Sequence, residues 1–109
     1  MDNSYLLIYC TCPEQALAER LAEALVEDRL AACINIVPGI TSVYRWQGEV
    51  QHDSELLLLI KTRGECYPAL EARIRELHSY EVPEIIAVPI QRGSGAYLAW
   101  IDASVGAAS

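Results

Sequence analysis

Apolar residues along this chain fall into short continuous runs separated by two stretches with helical spacing. Tyr5-Leu6-Leu7-Ile8-Tyr9-Cys10 is one such run, stopping at Thr11-Cys12-Pro13, and predicts a buried strand. Helix signals follow at once. Thr11 stands three residues before Glu14 as a possible capping box, while Pro13 at the first helical position would make Cys12 the cap. From Glu14 to Asp28, Leu17, Leu21 and Leu25 with Ala18 and Ala22 mark one face, and Glu19, Glu23 and Glu27 mark another. This predicts an amphipathic helix docked on a sheet.

Ala32 to Val37 reads as a second strand, interrupted at Pro38-Gly39 and resumed in β-type residues from Ile40 to Trp46, so a bulge or bend is expected at the break. Gln47-Gly48-Glu49 supplies a turn, and Val50 to Thr62 returns as a strand about twice the usual ~5–6 residues, ended by Gly64. Tyr67, Leu70, Ile74 and Leu77 repeat at helical spacing up to about His78, with Glu71 four residues before Arg75. Ile85 to Ile90 is the last core strand. After the Gly93-Ser94-Gly95 turn, Ala96 to Ala103 forms a short terminal helix. The order β-α-β-β-α-β plus a tail helix predicts the ferredoxin-like arrangement, an α+β fold with an antiparallel sheet and an extended hairpin.

In such a fold both main helices cover one sheet face, and the other normally faces water through apolar-polar alternation. Leu56-Leu57-Leu58-Leu59-Ile60 breaks that alternation, as do the first and last strands, so the second face also has to leave water. Burial is worth on the order of 1.5–3 kcal/mol for each side chain fully covered. An eight-residue tail helix is too short to cover three or four strands, so self-association is expected; long projecting strands with unpaired edges point the same way.

Length and composition narrow the picture. With 109 residues, 52% of them hydrophobic and 21% charged, the chain has material for one core, and residues 1–109 are read as one domain. No stretch approaches the roughly 18 apolar residues of a membrane span, and Met1-Asp2-Asn3-Ser4 lacks a basic leader region, so a soluble cytoplasmic protein is expected. The four cysteines, Cys10, Cys12, Cys33 and Cys66, are then free thiols, Cys66 on the surface. A formal net charge of -7 with no Lys/Arg cluster argues against nucleic acid.

Taken in order, Cys10-Thr11-Cys12-Pro13, Ala31-Ala32-Cys33-Ile34-Asn35, Ser42-Val43-Tyr44-Arg45-Trp46-Gln47-Gly48, Glu55 with Leu59-Ile60-Lys61-Thr62, His78-Ser79-Tyr80-Glu81-Val82-Pro83-Glu84-Ile85 and Tyr97-Leu98-Ala99-Trp100-Ile101 resemble the CutA divalent-cation tolerance family from about Tyr5 to Val105. The resemblance implies a ferredoxin-like homotrimer with inter-subunit clefts and a role in tolerance or binding of metal ions such as copper. Two departures stand out. Many members have proline where Ser79 stands, and some carry a His-His pair where this chain has Leu77-His78, which would leave a site relying on both imidazoles incomplete.

Thiols are soft ligands suited to Cu(I), imidazole suits borderline ions, and Cys10 with His78 is the favoured metal pair; copper or another divalent ion is the expected cofactor. A helix N-terminus beside Cys10-Thr11-Cys12 would lower a thiol pKa, and His78 at a helix C-terminus also has a purely structural use. His52 with Asp53 is an exposed, weaker candidate. Lys61 interrupts an apolar strand and is expected to snorkel or to meet Glu55 or Glu84, of its own or of another subunit. Tyr44, Trp46, Tyr80, Tyr97 and Trp100, with Glu55, Lys61 and Glu84, are candidates for an inter-subunit cleft or ligand site. An enzyme finds little support, since no glycine-rich phosphate loop, nucleophile elbow or His-Glu-x-x-His is present. The alternative is a trimeric signalling protein like PII that binds a small molecule between subunits, although Gln47-Gly48-Glu49 is too short for a PII-type loop.

Overall fold

Residues 4–106 are described in the computed structural model, so the domain drawn over residues 1–109 runs three residues past that range at each end. The elements are β1 (Tyr5–Cys12), α1 (Gln15–Glu27), β2 (Cys33–Trp46), β3 (Glu49–Arg63), α2 (Tyr67–Leu77), β4 (Ile85–Pro89) and α3 (Gly95–Ser104). Their sheet order is β2-β3-β1-β4 with every neighbouring pair antiparallel, which is the ferredoxin-like arrangement.

One face of the sheet carries the core. Ile8, Cys10 and Cys12 of β1 and Leu56, Leu58 and Ile60 of β3 meet Leu17, Ala18, Leu21 and Leu25 of α1 and Leu70 and Ile74 of α2. Alternation along β1 then directs Tyr5, Leu7, Tyr9 and Thr11 to the other face, together with their partners Arg63, Lys61, Leu59 and Leu57 in β3. α3 caps one end of that second face. Asp102 accepts from the Tyr5 hydroxyl at 2.8 Å and from Arg63, and Ile101 packs with Ala32, Cys66 and Val105. Away from α3, Leu7, Tyr9, Leu57 and Leu59 are only half-buried, and Ile86 and Val88 of β4 are 53% and 41% exposed.

Two local expectations are corrected. β1 does not yield to a helix at Thr11: Thr11 and Cys12 pair with Leu57 and Leu56, and α1 starts at Gln15 behind Glu14, which makes no side-chain cap. The ladder with β3 outweighs the local capping pattern. Cys66 is buried, 6% exposed, because α3 closes over it.

The hairpin places the candidate residues. Gln47 and Gly48 take φ of 50° and 83° and close it as a two-residue turn with both residues in the left-handed region. Nearer the core, Val37 pairs with Leu57 and Ile40 with Glu55, so β2 holds one surplus residue at Pro38-Gly39, with Gly39 at φ 79°. Beyond this bulge Ile40, Ser42, Tyr44 and Trp46 pair with Glu55, Asp53, Gln51 and Glu49 and share their face. An unbroken ladder would have sent them to the opposite face.

Candidate functional site

The end of β1 serves two sites, one on each side of the sheet. On the core side, one donor atom each of Cys10, Cys12 and His78 lies within 4.8 Å of the others, and all three residues are buried. His78 follows the last turn of α2, and its backbone N–H donates to Ile74 O at 2.8 Å. Its Nε2 lies 2.8 Å from the carbonyl oxygen of Thr11, and Tyr80 N–H donates to Nδ1 at 3.0 Å. A carbonyl only accepts and an amide N–H only donates, so this pair of bonds fixes the neutral imidazole with its proton on Nε2. Cys12 Sγ lies 3.8 Å from the same Nε2.

A hydrogen bond to Cys12 holds the Cys10 thiol far above the ordinary thiol range, and burial and the negative charges of Cys12, Glu84 and Glu55 push it the same way. The same bond lowers Cys12 against the opposing effect of burial. Cys10 is thus the reverse of the activated thiol expected beside a helix N-terminus, because its bond to Cys12 and its burial act the other way. Two thiols and an imidazole form a soft donor set that fits a d10 ion such as Cu(I), or Zn²⁺, better than hard cations. Both thiols must lose their protons on binding, and His78 Nε2 can ligate only by releasing its bond to Thr11.

On the other side of the sheet lies a cleft of about 760 Å³ between the hairpin and the segment after α2, lined by Tyr44, Trp46, Glu55, Tyr80, Val82 and Glu84 among others. Glu55 accepts from the Tyr80 hydroxyl at 2.8 Å, and burial followed by this bond raises the Tyr80 pKa. Tyr44 donates to Asp53 across the hairpin.

Residues 6–104 match the family model described as CutA1 divalent ion tolerance protein. The chain belongs to the CutA1 family. It is 53% identical over 100 residues to the divalent-cation tolerance protein CutA of Thermus thermophilus, covering 92% of this chain and 97% of that protein. With human Protein CutA it shares 47% identity over 101 residues, which cover 93% of this chain and 56% of the human protein. Among solved structures, CutA1 of Thermus thermophilus superposes with a TM-score of 0.92 at 52% identity over 94% of this chain and 99% of that one. CutA1 of Oryza sativa gives 0.94 at 44% identity over 98% of each chain.

In this CutA1 chain the expected residues separate into groups. Cys10 and His78 come together, while Tyr44, Trp46, Glu55, Tyr80 and Glu84 line the cleft. Lys61 bonds to Asn35 of its own sheet face and, within the chain, meets neither Glu55 nor Glu84. Tyr97 and Trp100 pair on α3 at 5.5 Å between ring centroids, with Tyr97 near Cys33 rather than on the cleft. His52 is exposed on β3 and stands outside the thiol-imidazole cluster. Cys12 joins that cluster although the favoured pair omitted it. The signal was its spacing of two from Cys10, which in a strand puts both thiols on one face and in a helix would not.

Proposed function

We propose that this CutA1 family member is a cytoplasmic metal-binding homotrimer in which Cys10, Cys12 and His78 hold a soft ion, copper in its cuprous state above others. The observation that carries the reading is the grouping of three buried donors of this type within 4.8 Å. The printed names of its relatives, divalent-cation tolerance proteins, support a role in handling metal ions. Cys10 and Cys12 would be the principal ligands, with His78 joining once its proton shifts from Nε2 to Nδ1, which gives up the bonds to Thr11 O and from Tyr80 N–H. A reducing compartment such as the cytoplasm would keep both thiols available. The half-buried and exposed apolar side chains on the second sheet face support self-association, and the family resemblance favours a three-fold assembly.

The test is a Cu(I) titration of the reduced chain against a chromophoric chelator. One ion per chain is expected, with affinity falling by at least about tenfold for Cys10→Ser and for Cys12→Ser and less for His78→Ala. Unchanged affinity in the Cys10→Ser/Cys12→Ser double variant would remove these residues as ligands.

A further inference from the structure

The two thiols proposed to hold the ion have no surface of their own. Cys10 and Cys12 are both 0% exposed, and of the three grouped donors only His78 reaches solvent, with 8% of its surface. On the helix side both thiols belong to one packed cluster with Leu17, Ala18, Leu21 and Leu70, none of them more than 4% exposed. A hydrated cation crosses such an apolar wall only if α1 or α2 lifts off the sheet, which disrupts the whole core.

His78 is fastened more lightly. It stands just past the last turn of α2, and its ring is held by two backbone groups, Thr11 O at 2.8 Å from Nε2 and Tyr80 N–H at 3.0 Å from Nδ1. The Tyr80 ring lies against the imidazole, with 4.8 Å between centroids. Residues 79–84 join neither helix nor strand, and all but Pro83 are exposed, so an outward swing of the imidazole disturbs a segment with little packing to lose. Ligation acts on the same fastening. An ion on Nε2 requires the ring proton on Nδ1, where it would face the Tyr80 N–H; two donors then oppose each other, and the Tyr80 backbone has to turn away. We propose that His78 is the lid of the thiol pair: an ion reaches Cys10 and Cys12 past its imidazole, and once bound it releases the Tyr80 amide and the segment behind it. The release rests on Cys10, Cys12 and His78 being the ligands, whereas the route of entry does not.

Entry is tested without metal. The reduced full-length chain in its native assembly is treated with iodoacetamide, and modification of each cysteine is timed by tandem mass spectrometry. Cys66, 6% exposed beneath α3, is the internal control. His78→Ala is expected to speed alkylation of Cys12, whose Sγ lies 3.8 Å from Nε2, by at least about tenfold and to leave Cys66 within about twofold. Tyr80→Phe frees the segment from its hydroxyl bond to Glu55 but keeps the amide; it should speed Cys12 by at least about threefold, and serves if His78→Ala does not fold. An unchanged Cys12 rate in the folded variant, or a matching rise at Cys66, overturns the lid. Release is read by amide exchange in the same assembly, where Cu(I) loading should speed exchange of the Tyr80 amide by at least about tenfold while the amides of α1 keep their protection. Bound Cu(I) with Tyr80 exchange unchanged overturns the release. Failure of Cu(I) to bind overturns the metal reading and the release with it, and the alkylation rates then decide the route of entry alone.

Discussion

Thr62 is fully buried in β3, and its hydroxyl donates to the carbonyl oxygen of Leu30 at 2.7 Å, tying the strand to the turn that follows α1. Thr62→Val preserves shape but removes the donor to that part-buried carbonyl, so it is expected to cost about 0.5–1.5 kcal/mol, read as a lower urea midpoint at unchanged slope. Thr62→Ser keeps the bond and should lose only about 1 kcal/mol through the missing methyl group. Residues of this kind were only partly legible beforehand. Thr62 could be placed in a strand, but its acceptor lies 32 positions away, and nothing local announces it. The same holds for Cys12 and His78, which are 66 positions apart and meet only because β1 and the end of α2 converge. Arg29 is a further case: no glycine marks the end of α1, yet Arg29 takes φ 60° there, and its side chain donates to Gly106 O and Ala103 O.

At the scale of elements, the docking of α3 rests partly on charge. The Arg63 hydrogen bond, followed by that from Tyr5, holds the Asp102 carboxyl below the usual carboxylate range. A group whose folded pKa is depressed contributes stability above its unfolded value, near ~3.9, and loses that contribution as pH falls through the lower folded value. α3 is therefore expected to loosen below about pH 4, seen as faster amide exchange over residues 95–104 or as a change in Trp100 emission. Asp102→Asn should remove that pH response and leave the helix weakly docked at neutral pH. Periodicity made the elements themselves legible. Leu17, Leu21 and Leu25 declared α1, and the break at Pro38-Gly39 declared the bulge. Their ends were harder to place, because the strand-versus-cap contest at Thr11 and Cys12 was decided by pairing with Leu57 and Leu56 of a distant strand.

For the molecule as a whole, the long axis of 47 Å against 26 and 25 Å reflects the projecting hairpin, and the radius of gyration of 14.5 Å exceeds the roughly 13 Å typical of this length. Such a shape, with apolar side chains along the second sheet face, suits a chain completed by copies of itself. If the proposed homotrimer is right, sedimentation should give three times the 12.1 kDa chain mass, and the melting temperature should rise with protein concentration. Ile86→Glu on that face should shift the assembly toward monomer, whereas the same change at an exposed helix position such as Val26 should not. Light scattering that reports a stable single chain would count against the assembly.

The surplus residue at Pro38-Gly39 also sets where the chain tolerates a change of length. Deleting Gly39 returns β2 to a regular ladder in which Ile40 still meets Glu55, so Tyr44 and Trp46 keep their side. Deleting a residue between Glu55 and Lys61 offers no such slack, and would turn Glu55 or Lys61 beneath the helices, according to which end of β3 slips.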